Sequence, residues 1–216
     1  VFAAMKQVEP ELAKKHKHIG HGMVRMPEGK MSSRTGTVIT GEWLVDEVVR
    51  RALAIMKEPD DQVAEMVGLG AVKYALLKNT IGSDVVFDFD KTVSLEGNSG
   101  PYLQYTFARC QSVLRKGQWK MENGKLNSQF SIVNSQLNAE ELAILRWLYR
   151  FLEIVAEAGK RYEPSLVCTY LYELAQRFNT FYNKHSILGS EEKDFRLALT
   201  AATGQILKNG LGLLGI

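Results

Sequence analysis

Cysteine is scarce in this chain: two in 216 residues, Cys110 and Cys168. They stand far apart, in no Cys-x-x-Cys pair and with no histidine at ligand spacing. That pattern argues against a structural zinc and leaves reduced, buried thiols as the expectation. Proline is scarce too, at five residues, and with apolar content near average the chain does not read as disordered. Uninterrupted apolar runs of about 18 residues are missing, which excludes a recognisable membrane-spanning helix. No signal peptide pattern is present, so the default compartment is the cytoplasm and no membrane partner is expected. Charge of one sign is lacking as well. Lys and Arg total 27 against 24 Asp and Glu, a formal net charge of +3, which neither demands nor excludes nucleic acid. The distribution of cations matters more than their sum. There is no internal repeat and no low-complexity tract.

What is there, first, is length enough for one large or two modest domains, each with its own core. Ahead of about residue 41 the apolar runs are short and broken by turn residues. Ile19 to Met26, then Pro27-Glu28-Gly29, then Thr37-Val38-Ile39 read as two short strands flanking a loop. From Gly41 the period becomes helical. Val45, Val48, Ala52 and Ile55 predict an amphipathic helix over 42–57, stopped before Pro59. Asp60 or Asp61 suits the N-cap of a second, with Val63, Val67, Gly70, Tyr74 and Leu77 on one face. Val85 to Val93 alternates apolar and acidic residues and predicts a short extended segment, followed by a turn-rich boundary at 96–101.

Pro101 suits the first turn of a helix running to about Lys116, and 117–135 reads as an irregular or hairpin-like connection. Three long helices are predicted over about 139–158, 165–185 and 191–208. Their stripes are Leu142, Leu145, Tyr149, Leu152 and Ala156; Val167, Leu171, Leu174, Phe178 and Phe181; and Phe195, Leu199, Ala202 and Ile206. Four helices with such faces predict an antiparallel bundle. The expected fold is mainly α: a short two-strand piece over 1–40, a helical connecting region over 41–98, and a helical bundle over 99–216.

Chemistry concentrates first in Gly29-Lys30-Met31-Ser32-Ser33-Arg34-Thr35-Gly36. Two cations and several hydroxyls lie between glycines that let a backbone close and open, a composition suited to phosphate. The plain alternative is a pair of solvated loop charges. The stretch resembles the KMSKS signature of class I aminoacyl-tRNA synthetases, and its wider frame, Met23 to Thr40, resembles arginyl-tRNA synthetase. That resemblance implies ATP, with Mg2+, as a substrate of the full-length enzyme, and no metal held by this chain. It assigns catalysis to Lys30, Ser32 and Arg34, and ATP-phosphate contacts to Gly29, Lys30, Met31, Ser32 and Ser33. Ser33 stands where the signature has its second lysine, and Arg34 follows it. In the family the loop lies at the end of the catalytic domain. The chain, which opens on Val1, is therefore expected to be the C-terminal part of a longer enzyme, and inactive alone for want of the arginine pocket.

Two strings spell motifs that their context does not support. His18-Ile19-Gly20-His21 reads as the other class I signature, which belongs at the start of a helix long before KMSKS; here it is the segment entering the loop. Gly210-Leu211-Gly212-Leu213-Leu214-Gly215 spells G-x-G-x-x-G, but it follows a helix rather than a strand and leaves no room for the acidic residue that should follow. Glycines stopping a helix explain it better.

The predicted helix after Pro101 carries Leu103, Phe107, Cys110 and Leu114 on one face, and Tyr102, Tyr105, Arg109, Ser112 and Lys116 on the next. Rings and cations together suit unstacked RNA bases and phosphates, although tyrosines bordering a core are ordinary on amphipathic helices. The run Glu96-Gly97-Asn98-Ser99-Gly100-Pro101-Tyr102-Leu103-Gln104-Tyr105, then Ala108-Arg109, resembles arginyl-tRNA synthetase over a length that chance does not supply. The resemblance continues through Phe178-Asn179 and Phe181-Tyr182-Asn183 to Leu211 through Ile216. It implies an α-helical anticodon-binding domain, with a few further residues past the position of Ile216 helping to form its pocket. Tyr172, Gln176, Asn179 and Asn183 share a polar face able to offer amides to base edges, or equally to other helices. The candidate tRNA contacts are thus Tyr102, Tyr105, Arg109, Lys116, Gln176, Asn179 and Asn183. The partners implied are tRNA(Arg), ATP and L-arginine. Another class I synthetase, such as the cysteine enzyme, or a non-catalytic RNA-binding or docking module are the alternatives. The Glu-Gly-Asn-Ser-Gly-Pro-Tyr run argues against the cysteine enzyme.

Overall fold

The computed structural model of the protein describes residues 1–27, 40–119 and 137–216, with the backbone of 121–122 and 125–126. The phosphate-type loop, 29–36, and the second expected strand, 37–39, lie outside the described residues. The chain opens with two short exposed helices, α1 (Phe2–Val8) and α2 (Pro10–Lys14), which the search for apolar periodicity passed over because neither buries a face. Pro10 opens α2 at a position where its missing N–H is not needed.

Strand β1 (Val24–Arg25) pairs in parallel with β2 (Val85–Val86), Val24 opposite Val85 and Arg25 opposite Val86. A parallel pair needs a long crossover, and two helices provide it. The first, α3 (Gly41–Ala54), is capped by Thr40, whose hydroxyl accepts from Trp43 N at 3.2 Å. Val48 and Ala52 are buried as the period predicts, but the helix ends before Ile55, which is exposed. The second, α4 (Asp61–Leu77), takes Asp60 as its cap, the carboxylate accepting from Val63 N at 3.0 Å.

Helix α4 packs on two sides, which changes the expected stripe. Gly70 and Tyr74 are buried as foreseen, yet Val63 is exposed. Small residues replace it: Ala64, Gly68, Ala71 and Ala75 form a spine at four- and three-residue steps. A Cβ on Gly68 would come within 2.9 Å of the Val49 Cα, so α3 and α4 touch almost backbone to backbone. After β2 the expected extended segment turns instead into α5 (Phe89–Val93). Asp88 starts that turn by accepting from Lys91 N at 3.1 Å, a bond that holds its carboxyl below the usual range. Phe87, Val93, Val48, Ala71, Val72 and Ala75 close a small core here, with Val24 and Met26 packed against it.

The bundle begins with α6 (Gly100–Lys116), capped by Ser99, and a small antiparallel hairpin follows, β3 (Met121–Glu122) with β4 (Lys125–Leu126). The single helix expected over 139–158 is two: α7 (Ala139–Tyr149) and α8 (Phe151–Arg161), divided at Arg150. Its stripe is also rotated. Ile144, Phe151 and Ala158 enter the core, whereas Tyr149 is 90% and Leu152 78% exposed. Both sets obey helical spacing. Ring packing chooses between them, for Trp147 stacks on Tyr170 at 5.6 Å and Phe151 meets the same ring. Reciprocal bonds fix the choice, Trp147 Nε1 to Tyr170 O and Tyr170 Oη to Trp147 O, each 3.0 Å.

Helix α9 (Ser165–Lys184) buries its whole predicted stripe. Helix α10 (Lys193–Leu213) buries Phe195 and Leu199 but exposes Ala202 and runs straight through Gly210 and Gly212. The expected glycine stop is therefore displaced to Gly215, whose φ of +72° suits a residue without Cβ. Gly210 serves packing, since a Cβ there would lie 2.5 Å from Leu171 Cδ2. Helices α6 and α10 run antiparallel, Gly117 meeting Leu197 and Cys110 meeting Gly204. Cys110 and Cys168 are free and buried, their thiols pushed up to about 12 by burial. Among the described residues no helix is long and apolar enough to cross a membrane.

Candidate nucleic-acid interface

Helices α6 and α9 build the candidate interface around one amide. Asn179 is nearly buried on α9. Its Nδ2 donates to Tyr102 Oη at 2.9 Å and to Thr106 Oγ1 at 3.0 Å, while its Oδ1 accepts from Arg109 Nη1 at 2.5 Å. Every hydrogen-bonding position that the amide needs is thus occupied from α6. The α6 side is set by its cap: Ser99 Oγ accepts from Tyr102 N at 3.2 Å, fixing the first turn and the direction in which Tyr102 leaves it.

Tyr102 is half-buried, its ring edge-on to Tyr172 at 5.8 Å. Burial holds its hydroxyl above the ordinary phenol range, so it stays protonated. Because that oxygen accepts from Asn179, its own hydrogen remains outside the network and can be offered to a ligand. Arg109 is held on three sides. Its guanidinium lies 4.9 Å from the Tyr105 ring centroid and 4.7 Å from that of Tyr182, in addition to the Asn179 bond. Tyr105 and Tyr182 are both exposed, so a cation pinned between two rings faces solvent.

Two clefts flank this cluster. One, of about 600 Å³, runs along Tyr105, Arg109, Ser112 and Lys116 to Tyr182 and His185. The other, of about 870 Å³, lies between Tyr102, Tyr105, Arg109, Asn179 and Asn183 on one wall and, on the other, Ala52 of α3 with Ile55 and Met56, which follow it. Of the residues singled out from sequence, Tyr102, Tyr105, Arg109, Asn179 and Asn183 come together, with Lys116 at the far end of the neighbouring cleft. Gln176 does not join them; it donates to Tyr172 Oη at 2.9 Å on the adjoining turn of α9. Lys30, Ser32, Arg34, Gly29, Met31 and Ser33 fall outside the described residues. Sequence reasoning passed over Tyr182 and Thr106. Tyr182 stands three residues after Asn179 and hence on the same face, and that spacing was the available signal.

The family described as the DALR anticodon binding domain matches residues 103–216, and that described as the class I (R) tRNA synthetase catalytic domain matches residues 1–89. The chain belongs to the arginyl-tRNA synthetase family. Its anticodon-domain match begins in the first turn of α6, just after Tyr102, and runs through α10, so it takes in most of α6 and all of α9, the helices that build the cluster just described. Among curated proteins it is similar to arginine-tRNA ligase of Phocaeicola vulgatus, 39% identical over 212 residues covering 92% of this chain and 34% of that protein. It is also similar to that of Clostridium kluyveri, 37% identical over 100% of this chain and 39% of the relative. Among solved structures, Thermus thermophilus arginyl-tRNA synthetase superposes with a TM-score of 0.82 at 31% identity, covering 100% of this chain and 37% of that one. The chain thus spans little more than a third of the length of the relatives it matches. His18 to His21 lie in no helix and precede β1, a placement unlike a signature that should open a helix.

Proposed function

We propose that this chain works within a whole arginine-tRNA ligase, presenting the ATP-phosphate loop at 29–36 and a surface on α6 and α9 for the anticodon region of tRNA(Arg). The observation that carries the reading is the pairing in one chain of a match to the arginine-type class I catalytic domain with a match to the anticodon-binding domain. The α6 and α9 geometry supports the second half. Tyr105 and Tyr182 offer ring faces on which unpaired bases stack, Arg109 between them offers charge, and Lys116 extends the positive edge toward phosphates. Asn179 positions these groups; Asn183, exposed beside them, offers an amide to base edges, and Gln176, whose Nε2 is bonded to Tyr172 Oη, could do so one turn away by its oxygen.

In the activation step the carboxylate of L-arginine attacks the α-phosphorus of ATP in line, and pyrophosphate leaves. Negative charge grows on the bridging and leaving oxygens. Lys30, with Arg34 near it in sequence, supplies cations there, while Ser32 and the backbone N–H groups of Gly29 to Ser33 support the phosphates. One preorganised contact of this kind is worth about 2.7 to 4 kcal/mol in the transition state. Mg2+ enters with ATP as part of the substrate.

In the full-length ligase, Lys30→Ala slows ATP-pyrophosphate exchange far more than it weakens tRNA binding; equal loss in both would remove the phosphate-loop assignment. For the bundle, a titration comparing tRNA(Arg) with anticodon-altered transcripts at several salt concentrations reads both parts of the surface. Affinity falls steeply with salt through phosphate contacts and falls again when the anticodon is changed. Indifference to the anticodon would overturn the α6 and α9 assignment.

A further inference from the structure

Only a few residues separate β1 from the phosphate loop, and one carboxylate governs how β1 sits. Asp84 Oδ1 accepts from Met23 N at 2.8 Å, across 61 positions of sequence, while its Oδ2 pairs with the guanidinium of Arg25. Met23 immediately precedes β1 and Arg25 ends it, so a single side chain holds both a backbone donor and a charged side chain. Ladder bonds continue the grip: Val85 N donates to Met23 O and Phe87 N to Arg25 O, each at 2.8 Å. Behind them the strand lies flat on the turn before β2. A Cβ added to Gly22 would fall 2.1 Å from Ser83 O, so no residue but glycine fits there without moving the strand. A slip of one residue would turn Val24 and Met26 away from the core against which they pack.

We infer that Asp84 is a positioning residue for adenylate formation, fixing the strand that carries the chain into Gly29 and Lys30. The inference rests on the reading of residues 29–36 proposed above. Gly29 follows Arg25 by four positions, a reach of at most about 14 Å, so where the strand is held bounds where the loop can begin. At the other end Thr40 caps α3, which anchors the exit. A carboxylate in this place touches no reacting atom; it acts through where it holds Met23 and Arg25.

The test uses the full-length ligase. Asp84→Ala removes both contacts and lowers kcat of ATP-pyrophosphate exchange by about tenfold or more, the scale on which small misplacements of reacting groups act. The KM for arginine and the affinity for tRNA stay within about twofold. Asp84→Asn keeps an oxygen acceptor for Met23 N and restores exchange to within about threefold. Thermal unfolding of both variants accompanies the rates. Exchange by Asp84→Ala within about twofold of wild type, while Lys30→Ala is slow, overturns the inference and spares the loop reading. A fall in tRNA affinity in step with exchange, or an Asn variant no better than Ala, overturns it too. Full exchange by Lys30→Ala removes the loop reading and the inference together.

Discussion

Arg109 on α6 and Asn179 on α9 are joined by a hydrogen bond of 2.5 Å that spans 70 positions of sequence. The same amide holds Tyr102 and Thr106, so one buried side chain sets the spacing of the two helices and the pose of the cation between Tyr105 and Tyr182. Asn179→Leu leaves those three partners unsatisfied. Groups of this kind cost about 1 to 3 kcal/mol each when buried without a partner, less where water reaches them, as it does Arg109. The expected result is a lower urea midpoint together with tRNA affinity reduced by about tenfold. Loss of stability with full affinity for tRNA(Arg) would show that Arg109 keeps its pose without the amide.

Tyr105 and Tyr182 are exposed rings with Arg109 between them. If bases stack there, each ring contributes about 1 to 3 kcal/mol to binding. Tyr105→Ala and Tyr182→Ala each weaken tRNA(Arg) binding by that amount, and Phe at either position restores most of it, because stacking needs the ring and not the hydroxyl. Fluorescence titration reads the difference. Phe variants as weak as Ala would transfer the contribution to the hydroxyls.

Lys116 lies at the exposed end of α6 in the cleft with Tyr105 and Arg109. A lysine that neutralises one phosphate changes the salt dependence of binding by a fixed step and carries no base preference. Lys116→Ala therefore weakens tRNA(Arg) and anticodon-altered tRNA alike and reduces the slope of log affinity against log salt by about one. An unchanged slope would leave Lys116 as a solvated charge.

How far sequence reached depended on whether one helical face decided the packing. The α9 stripe of Val167, Leu171, Leu174, Phe178 and Phe181 was legible because that helix lies inside the bundle and all five are buried. On α4 the stripe was only half legible, since the close face is made of Ala64, Gly68 and Ala71, which hydropathy barely registers. Along α7 and α8 two stripes fit the same spacing, and the Trp147–Tyr170 stack, 23 residues apart, chose between them. Gly210, inside α10, is likewise placed by a neighbour, Leu171 of α9. At the interface, Tyr102, Tyr105 and Arg109 could be seen as one face of a helix. That Asn179 turns inward to hold them, while Asn183 stays out, depends on how α9 lies on α6.

Glu141 and Arg196 form the most enclosed ion pair described, Oε1 to Nε at 2.8 Å with side chains 3% and 12% exposed. The second carboxylate oxygen accepts from Asn138 N at 3.0 Å and completes the cap of α7. Removing one member of a buried pair strands the other, at about 3 to 5 kcal/mol. Glu141→Ala is expected to destabilise the bundle by less than that, because Arg196 keeps its bond to Ser186 O and its pairing with Glu192, and Glu141→Gln less again, because an amide still accepts. Equal denaturation midpoints for wild type and Glu141→Ala would sink the claim that this pair ties α7 to α10.

Glu140, one residue earlier, gives the acid response a named source. Its carboxylate lies 2.7 Å from Lys184 Nζ and 3.2 Å from His185 Nε2, and the bond from Lys184, then that from His185, bring it down from 4.5 to about 2. The folded form therefore binds its proton later than the unfolded chain. Between about pH 4.5 and pH 2 the unfolded state holds more protons, so stability rises with pH across that window. The contribution is complete above 4.5 and disappears as the pH falls toward about 2. Glu140→Gln removes it, so the variant loses less stability than wild type between about pH 6 and about pH 3. Glu47 remains as an internal comparison, its carboxyl lowered to about 2 by Arg50 and then Arg51 on α3. Urea midpoints at the two pH values, taken for wild type and Glu140→Gln, measure the effect. Parallel shifts in both proteins would mean that the contact between α7 and the end of α9 persists after protonation and contributes nothing to the acid limb.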